Sequence, residues 1–198
     1  MSFLCIGGIW GAHMGNRMDL GDSRRRHWHE LNFWLWAFMR NADAYLLSSA
    51  ALDQEFSSEA VDWQASVRKH EFLMRESTLA AHHFVTSMGV LIRVLKLAQN
   101  LFPEVQPPFS RASHLLKEGK ELRDMVEHAY GKGGYLTGGG HHPERFIRED
   151  AGIAADATST IIKDGKHWLG NRLCVEHVIV EVQAIKAAAD RIKPPRPR

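Results

Sequence analysis

Between Trp28 and Met39 the chain carries Trp28, Leu31, Phe33, Trp34, Leu35, Trp36, Phe38 and Met39. At about 100° per residue, these side chains leave a helix almost no polar face. A helix that is apolar nearly all round belongs in the centre of a bundle or in a subunit interface. An aromatic-lined ligand slot is the other use such a segment has. Asp22 and Ser23 can cap this helix, which extends to about Phe56.

Helical spacing continues beyond it. A second helical region starts at Ser57–Ser58 and runs to Phe102, interrupted at most near Ser77–Thr78. Val85, Met88, Leu91, Ile92, Leu95, Leu97 and Ala98 keep its period. Pro103, Pro107 and Pro108 end it and form a short linker. Ser110 can cap a third helix with Leu115, Leu122, Met125, Val126 and Ala129 on one stripe, stopping at Gly131. The run GKGGYLTGGG, residues 131–140, reads as a flexible loop and matches neither phosphate-binding glycine pattern. Ala157–Ile162 is β-prone, and Asp164–Gly165 is a hairpin turn into Lys166–Leu169. Gly170–Asn171 breaks the chain, Val175–Ile192 forms the last helix, and Pro194–Pro195 ends it. The expected fold is all-α: a bundle of four to five helices with one small β-hairpin before the last helix. Residues 22–193 read as a single domain. Residues 1–21 read as an extension, disordered or misassigned, since Met14 and Met18 are alternative starts; residues 194–198 read as a basic, proline-rich tail.

A chain of 198 residues can bury a substantial core in one domain. The formal net charge of +2 provides no global field for nucleic acid. The basic clusters at Arg24–Arg26 and Arg191–Arg198 read as a solvated helix start and a frayed tail. Cys5 and Cys174 are too few for a disulfide framework, which fits a reducing cytoplasm. No apolar run approaches the ~20 residues of a membrane helix. Met1–Ala12 lacks the positive leader of a signal peptide.

Twelve histidines raise the question of a metal. No HExxH occurs, since His29-Glu30 and His70-Glu71 lack the second histidine, and no glutamate opens an ExxH. His82-His83 and His141-His142 are adjacent pairs, which point about 100° apart on a helix. A histidine-bound metal bundle drawing on distant helices stays open as a third possibility; the leading expectation includes neither metal nor cofactor. There is no GxSxG elbow.

The remaining chemistry is arginine with histidine. An arginine grips a phosphate, and a histidine moves a proton near neutral pH. An arginine with four to six residues before a histidine occurs four times: Arg24/His29, Arg75/His82, Arg123/His128 and Arg172/His177. Among them, Arg123/His128 stands out by lying at a helix end beside a loop that substrate could reach. On one ideal helix those two residues are about 140° apart, so convergence needs two copies across a symmetric dimer. Asp124/His128 and Arg123/Glu127 are i,i+4 pairs, which alone would be surface ion pairs worth a few tenths of a kcal/mol. Arg75 and His82, seven residues apart, share a face and form the runner-up pair.

The run LRDMVEHAYG resembles the Arg-polar-x-x-x-His motif of HEPN-domain proteins, a large group of helical-bundle proteins. The resemblance covers six residues and implies a catalytic set of Arg123, Asp124 and His128, with Glu127 and Tyr130 in support. It further implies a cytoplasmic homodimer and metal-independent endoribonuclease activity of the toxin–antitoxin or defence type. RNA and an antitoxin or other protein would be its partners. The ribose 2′-hydroxyl would attack the adjacent phosphorus as the 5′-hydroxyl leaves. His128 would transfer the proton, Arg123 would hold the non-bridging oxygens, and Asp124 would orient the imidazole. The alternative is a non-enzymatic helical interaction or dimerisation protein, in which the aromatic first helix makes the contact surface.

Overall fold

Leu31, Leu35, Phe38, Ala42 and Tyr45 recur every three or four residues and are completely buried or nearly so. They form one stripe of the first helix, α1 (Leu20–Phe56). Phe33, Trp36 and Leu47 lie on the opposite side and are exposed. The helix is therefore not central, one of the two placements its composition suggested: it divides its apolar residues between the core and an outward face. It starts at Leu20, which puts Asp22 and Ser23 in its first turn rather than ahead of it. The computed structural model describes residues 20–56, 63–130, 134–136, 143–150 and 152–195. Of the expected extension at residues 1–21, residues 20 and 21 belong to α1, while residues 1–19 and the second-helix start at Ser57–Ser58 lie outside the described residues.

The second helix, α2 (Trp63–Leu101), runs antiparallel to α1. Glu55 pairs with Lys69 near one end, the Phe38 and Phe84 rings lie 5.2 Å apart further along, and Arg24 stacks 5.3 Å from the Phe102 ring at the far end. The helix continues through Ser77–Thr78. Ser77 is buried beside the Ser49 hydroxyl at 3.5 Å, and the Thr78 hydroxyl donates to the Met74 carbonyl at 2.8 Å. Each hydroxyl finds a partner without opening the helix. By length and composition α2 could cross a bilayer, and half of its most apolar window is buried within the protein.

Proline starts the next segment rather than separating it. Pro103 opens a one-turn 3-10 helix, Pro103–Val105, and α3 (Gln106–Glu127) begins four residues before Ser110. Pro107 and Pro108 lie in the first turn of α3, where backbone N–H groups have no intrahelical acceptor to lose. The helix packs on α2 at close range. A Cβ at Gly119 would collide with the Met88 sulfur, and one at Gly89 would stand 2.6 Å from Arg123 Nη1.

The last helix, α5 (Val175–Ala189), runs antiparallel to α3. Arg111 meets Glu181 at 3.7 Å near the start of α3, while Leu122 near its end packs against Gly170, just before α5. Both α1 and α3 pack on α2 and α5. The four long helices thus form an up-down-up-down bundle with α1 and α3 on a diagonal.

The chain between α3 and α5 contains more β-structure than one hairpin. A single turn, α4 (Pro143–Phe146), leads into β1 (Ile147–Asp150) and β2 (Ile153–Asp156), an antiparallel pair in register Ile147 to Asp156. A three-stranded sheet follows, ordered β3 (Thr160–Lys163), β4 (Lys166–Leu169), β5 (Leu173–Cys174). Its β3–β4 turn is the expected Asp164–Gly165, both at positive φ, as a two-residue hairpin loop requires. The strand starts at Thr160 rather than Ala157, because Asp156 Oδ1 accepts from the Thr158 N–H and from both neighbouring hydroxyls, closing a turn there. Gly170–Asn171 forms the β4–β5 turn, and the Asn171 amide donates to the Ile153 carbonyl at 2.9 Å, linking the two sheets. The molecule is predominantly helical, with two small antiparallel sheets between α3 and α5.

The α2–α3 contact yields a direct test. Replacing Gly119 with valine forces atoms into the fully buried Met88 and should destabilise the protein by about 1–3 kcal/mol. Urea unfolding measures it, and an unchanged midpoint would contradict the close approach.

Candidate functional site

Leu122 and Met125 are buried on α3 and anchor its C-terminal half against the core. This leaves Arg123 and Asp124 half-buried and Glu127 and His128 exposed. The Arg123 side chain crosses to α2 and lies over Gly89, where the missing side chain makes room for it. Its Nε donates to Asp124 Oδ1 at 3.0 Å and lies 3.4 Å from Glu127 Oε2, and its Nη2 also donates to Asp124 Oδ1. Lys120 Nζ holds the other carboxylate oxygen at 2.5 Å. Burial pushes the Asp124 carboxyl up, but the hydrogen bonds and charges of Lys120 and Arg123 outweigh it and hold the carboxyl below its ordinary range.

Within one chain, no described hydrogen bond joins Asp124 to the His128 imidazole that it was expected to orient. The described hydrogen bonds of the carboxylate go to Lys120 and Arg123, one oxygen each. His128 instead caps the helix: its N–H donates to the Asp124 carbonyl at 3.0 Å, and its own carbonyl accepts from the Tyr135 N–H at 2.9 Å. The Leu136 N–H donates to the Ala129 carbonyl at 2.8 Å. The described part of the glycine-rich loop is therefore tied to the end of α3; residues 131–133 and 137–140 lie outside the described residues. Tyr130 is 75% exposed, and no described hydrogen bond joins it to Arg123, Asp124 or His128. Within one chain, Arg123 turns inward to α2 while His128 faces solvent.

The runner-up pair shares a groove, with no described hydrogen bond between its members. Arg75 and His82 line one open groove of about 450 Å³ with Met74, Thr78, Leu79 and Val126. Thr78, His82 and Val126 also line a cavity of about 70 Å³, closed by Val85, Leu122 and Leu169. The walls are mostly apolar, and Arg75 reaches Glu71 at 3.9 Å on its own helix.

One polar cluster carries no sequence motif. Glu176, in the first turn of α5, accepts the His167 backbone N–H at 3.1 Å and pairs with His167 Nδ1 at 2.7 Å. The Cys174 thiol donates to the same carboxylate at 3.7 Å. Burial acts to raise the Glu176 carboxyl, but the His167 contacts prevail and lower it. The carboxylate thus staples β4 to the start of α5, where it also suits the helix dipole. An acidic residue in a helix first turn was the only signal of this in the sequence. Among the described residues, no group of three or more histidine, cysteine, aspartate or glutamate side chains comes together to hold a metal ion.

No protein-family model, curated protein or solved structure matches the chain.

The Asp124 carboxyl makes stability pH-dependent with a definite sign. Its native pKa is held below the ordinary value of about 3.9. The ionised group therefore stabilises the fold above that value, and the contribution disappears as pH falls through the lowered native pKa. Asp124→Asn should lower the urea midpoint at pH 7, and the gap from the unaltered protein should shrink below about pH 4. A gap unchanged at pH 2.5 would contradict the Lys120–Asp124–Arg123 clamp.

Proposed function

We propose that this chain is a non-enzymatic helical interaction protein that self-associates through the outward face of α1. The observation that carries this is a single line of Phe33, Trp36 and Leu47, exposed by 54%, 57% and 72%, on a helix whose other face makes the core. A lone exposed apolar residue is ordinary, whereas several large ones on one line form a contact patch. Phe33 lies 5.3 Å from the Trp34 ring and 6.0 Å from the Trp36 ring, which makes this end of the line an aromatic cluster. The clamped state of Arg123 also favours a structural role for that arginine. A reducing cytoplasm belongs to the same proposal. Sedimentation equilibrium at tens of micromolar should give about twice the 22.4 kDa chain mass. Trp36→Ser combined with Leu47→Ser should return the chain mass while helical circular dichroism persists. A single-chain species for the unaltered protein would refute self-association.

The second possibility is the HEPN-like ribonuclease. His128 favours it, exposed at the end of α3 beside exposed Tyr130, where RNA could approach. Arg123 would have to exchange Asp124 and Glu127 for a phosphate, and two α3 ends would have to meet. Pairing through the outward face of α1 works against that meeting, because α1 and α3 lie on a bundle diagonal. Purified protein incubated with RNA in EDTA discriminates. The interaction protein leaves RNA intact, with or without His128→Ala. A ribonuclease cleaves it and loses cleavage by about 10²-fold or more in that variant.

A further inference from the structure

The exposed line on α1 includes more than its apolar residues. Phe33, Trp36, Arg40, Asp43, Leu47 and Ala50 are all exposed and alternate steps of three and four. That is the seam spacing of a helix that packs along another with a small left-handed crossing. Arg40 and Asp43 occupy its middle, and neither has an ion-pair partner among the described residues.

The order of residues along this seam is self-complementary. A two-fold axis crossing α1 between Asn41 and Ala42 places Trp36 opposite Leu47 of a second copy and Phe33 opposite Ala50. The same axis places Arg40 opposite Asp43, twice, once on each side of the axis. Every large side chain meets a smaller one, and every charge meets its opposite. Ala37 and Ala44 border one side of the seam and allow close approach, while Met39 and Leu46 border the other. A parallel pairing would instead set Arg40 on Arg40, Asp43 on Asp43 and Trp36 on Trp36, which like charge and bulk oppose.

We infer that the partner of α1 is a second copy of this chain, docked antiparallel about that axis, with the paired Arg40 and Asp43 selecting the orientation. An isologous contact of this kind is the commonest form of homodimer. The inference rests on the self-association proposed above and adds its antiparallel orientation and register.

Charge reversal tests it, because both residues are exposed and outside the core. By sedimentation, Arg40→Asp alone and Asp43→Arg alone should each weaken the dimer by at least about ten-fold through like-charge contact. An equimolar mixture of the two variants should form a heterodimer, and the double variant Arg40→Asp/Asp43→Arg should recover the homodimer. Formation of the heterodimer also shows that the single variants are folded. Single variants that dimerise as the unaltered chain does, or recoveries that do not occur, overturn the register. If Trp36→Ser/Leu47→Ser still abolishes that dimer, self-association through α1 stands without the register. If the unaltered chain is monomeric, both fall.

Discussion

The approach of α3 to α2 at Gly89 and Gly119 determines much of the remaining structure. With no Cβ at Gly119, the Met88 side chain lies against the backbone of the facing helix. With none at Gly89, the Arg123 guanidinium finds a shelf on α2 and folds inward. Once there, it is held by Asp124 and Glu127, and Asp124 is held in turn by Lys120. A guanidinium so surrounded has its charge largely answered from within its own chain. This is the physical reason why an arginine and histidine five residues apart do not form a joint site in a single copy.

The four-helix arrangement then separates two surfaces. Because α1 and α3 lie on a diagonal, the aromatic line of α1 and the His128 end of α3 belong to different sides of the bundle. Contact through α1 and composite chemistry through α3 call for different dimers. Oligomer geometry is therefore the property that separates the two proposed readings.

The insertion between α3 and α5 completes the core at one end. Phe146, Ala157 and Leu169 are buried there with Leu122 and Met125 of α3. Glu176 ties β4 to the first turn of α5, and Asn171 ties the two sheets together. These links explain how strands of four residues or fewer, too short to be stable alone, hold a defined place.

The sequence by itself determined the helical character of three long segments, the last helix and the Asp164–Gly165 turn. Each is encoded locally, by a 3.6-residue apolar period or by two residues that tolerate positive φ. It also contained the surplus of apolar residues on α1, though not which of them would face outward. The β1–β2 hairpin left no local trace, because the residues of β1 are all exposed and carry no alternation. Pro107 and Pro108 read as a break because their lost N–H groups are harmful everywhere except in a first turn. Only the tertiary structure decided where Arg123 points, that Asp124 serves Lys120 and Arg123 rather than His128, and that α1 keeps one face free. Those outcomes depend on which backbones approach closely, and close approach is set by the glycines and core residues of a different helix.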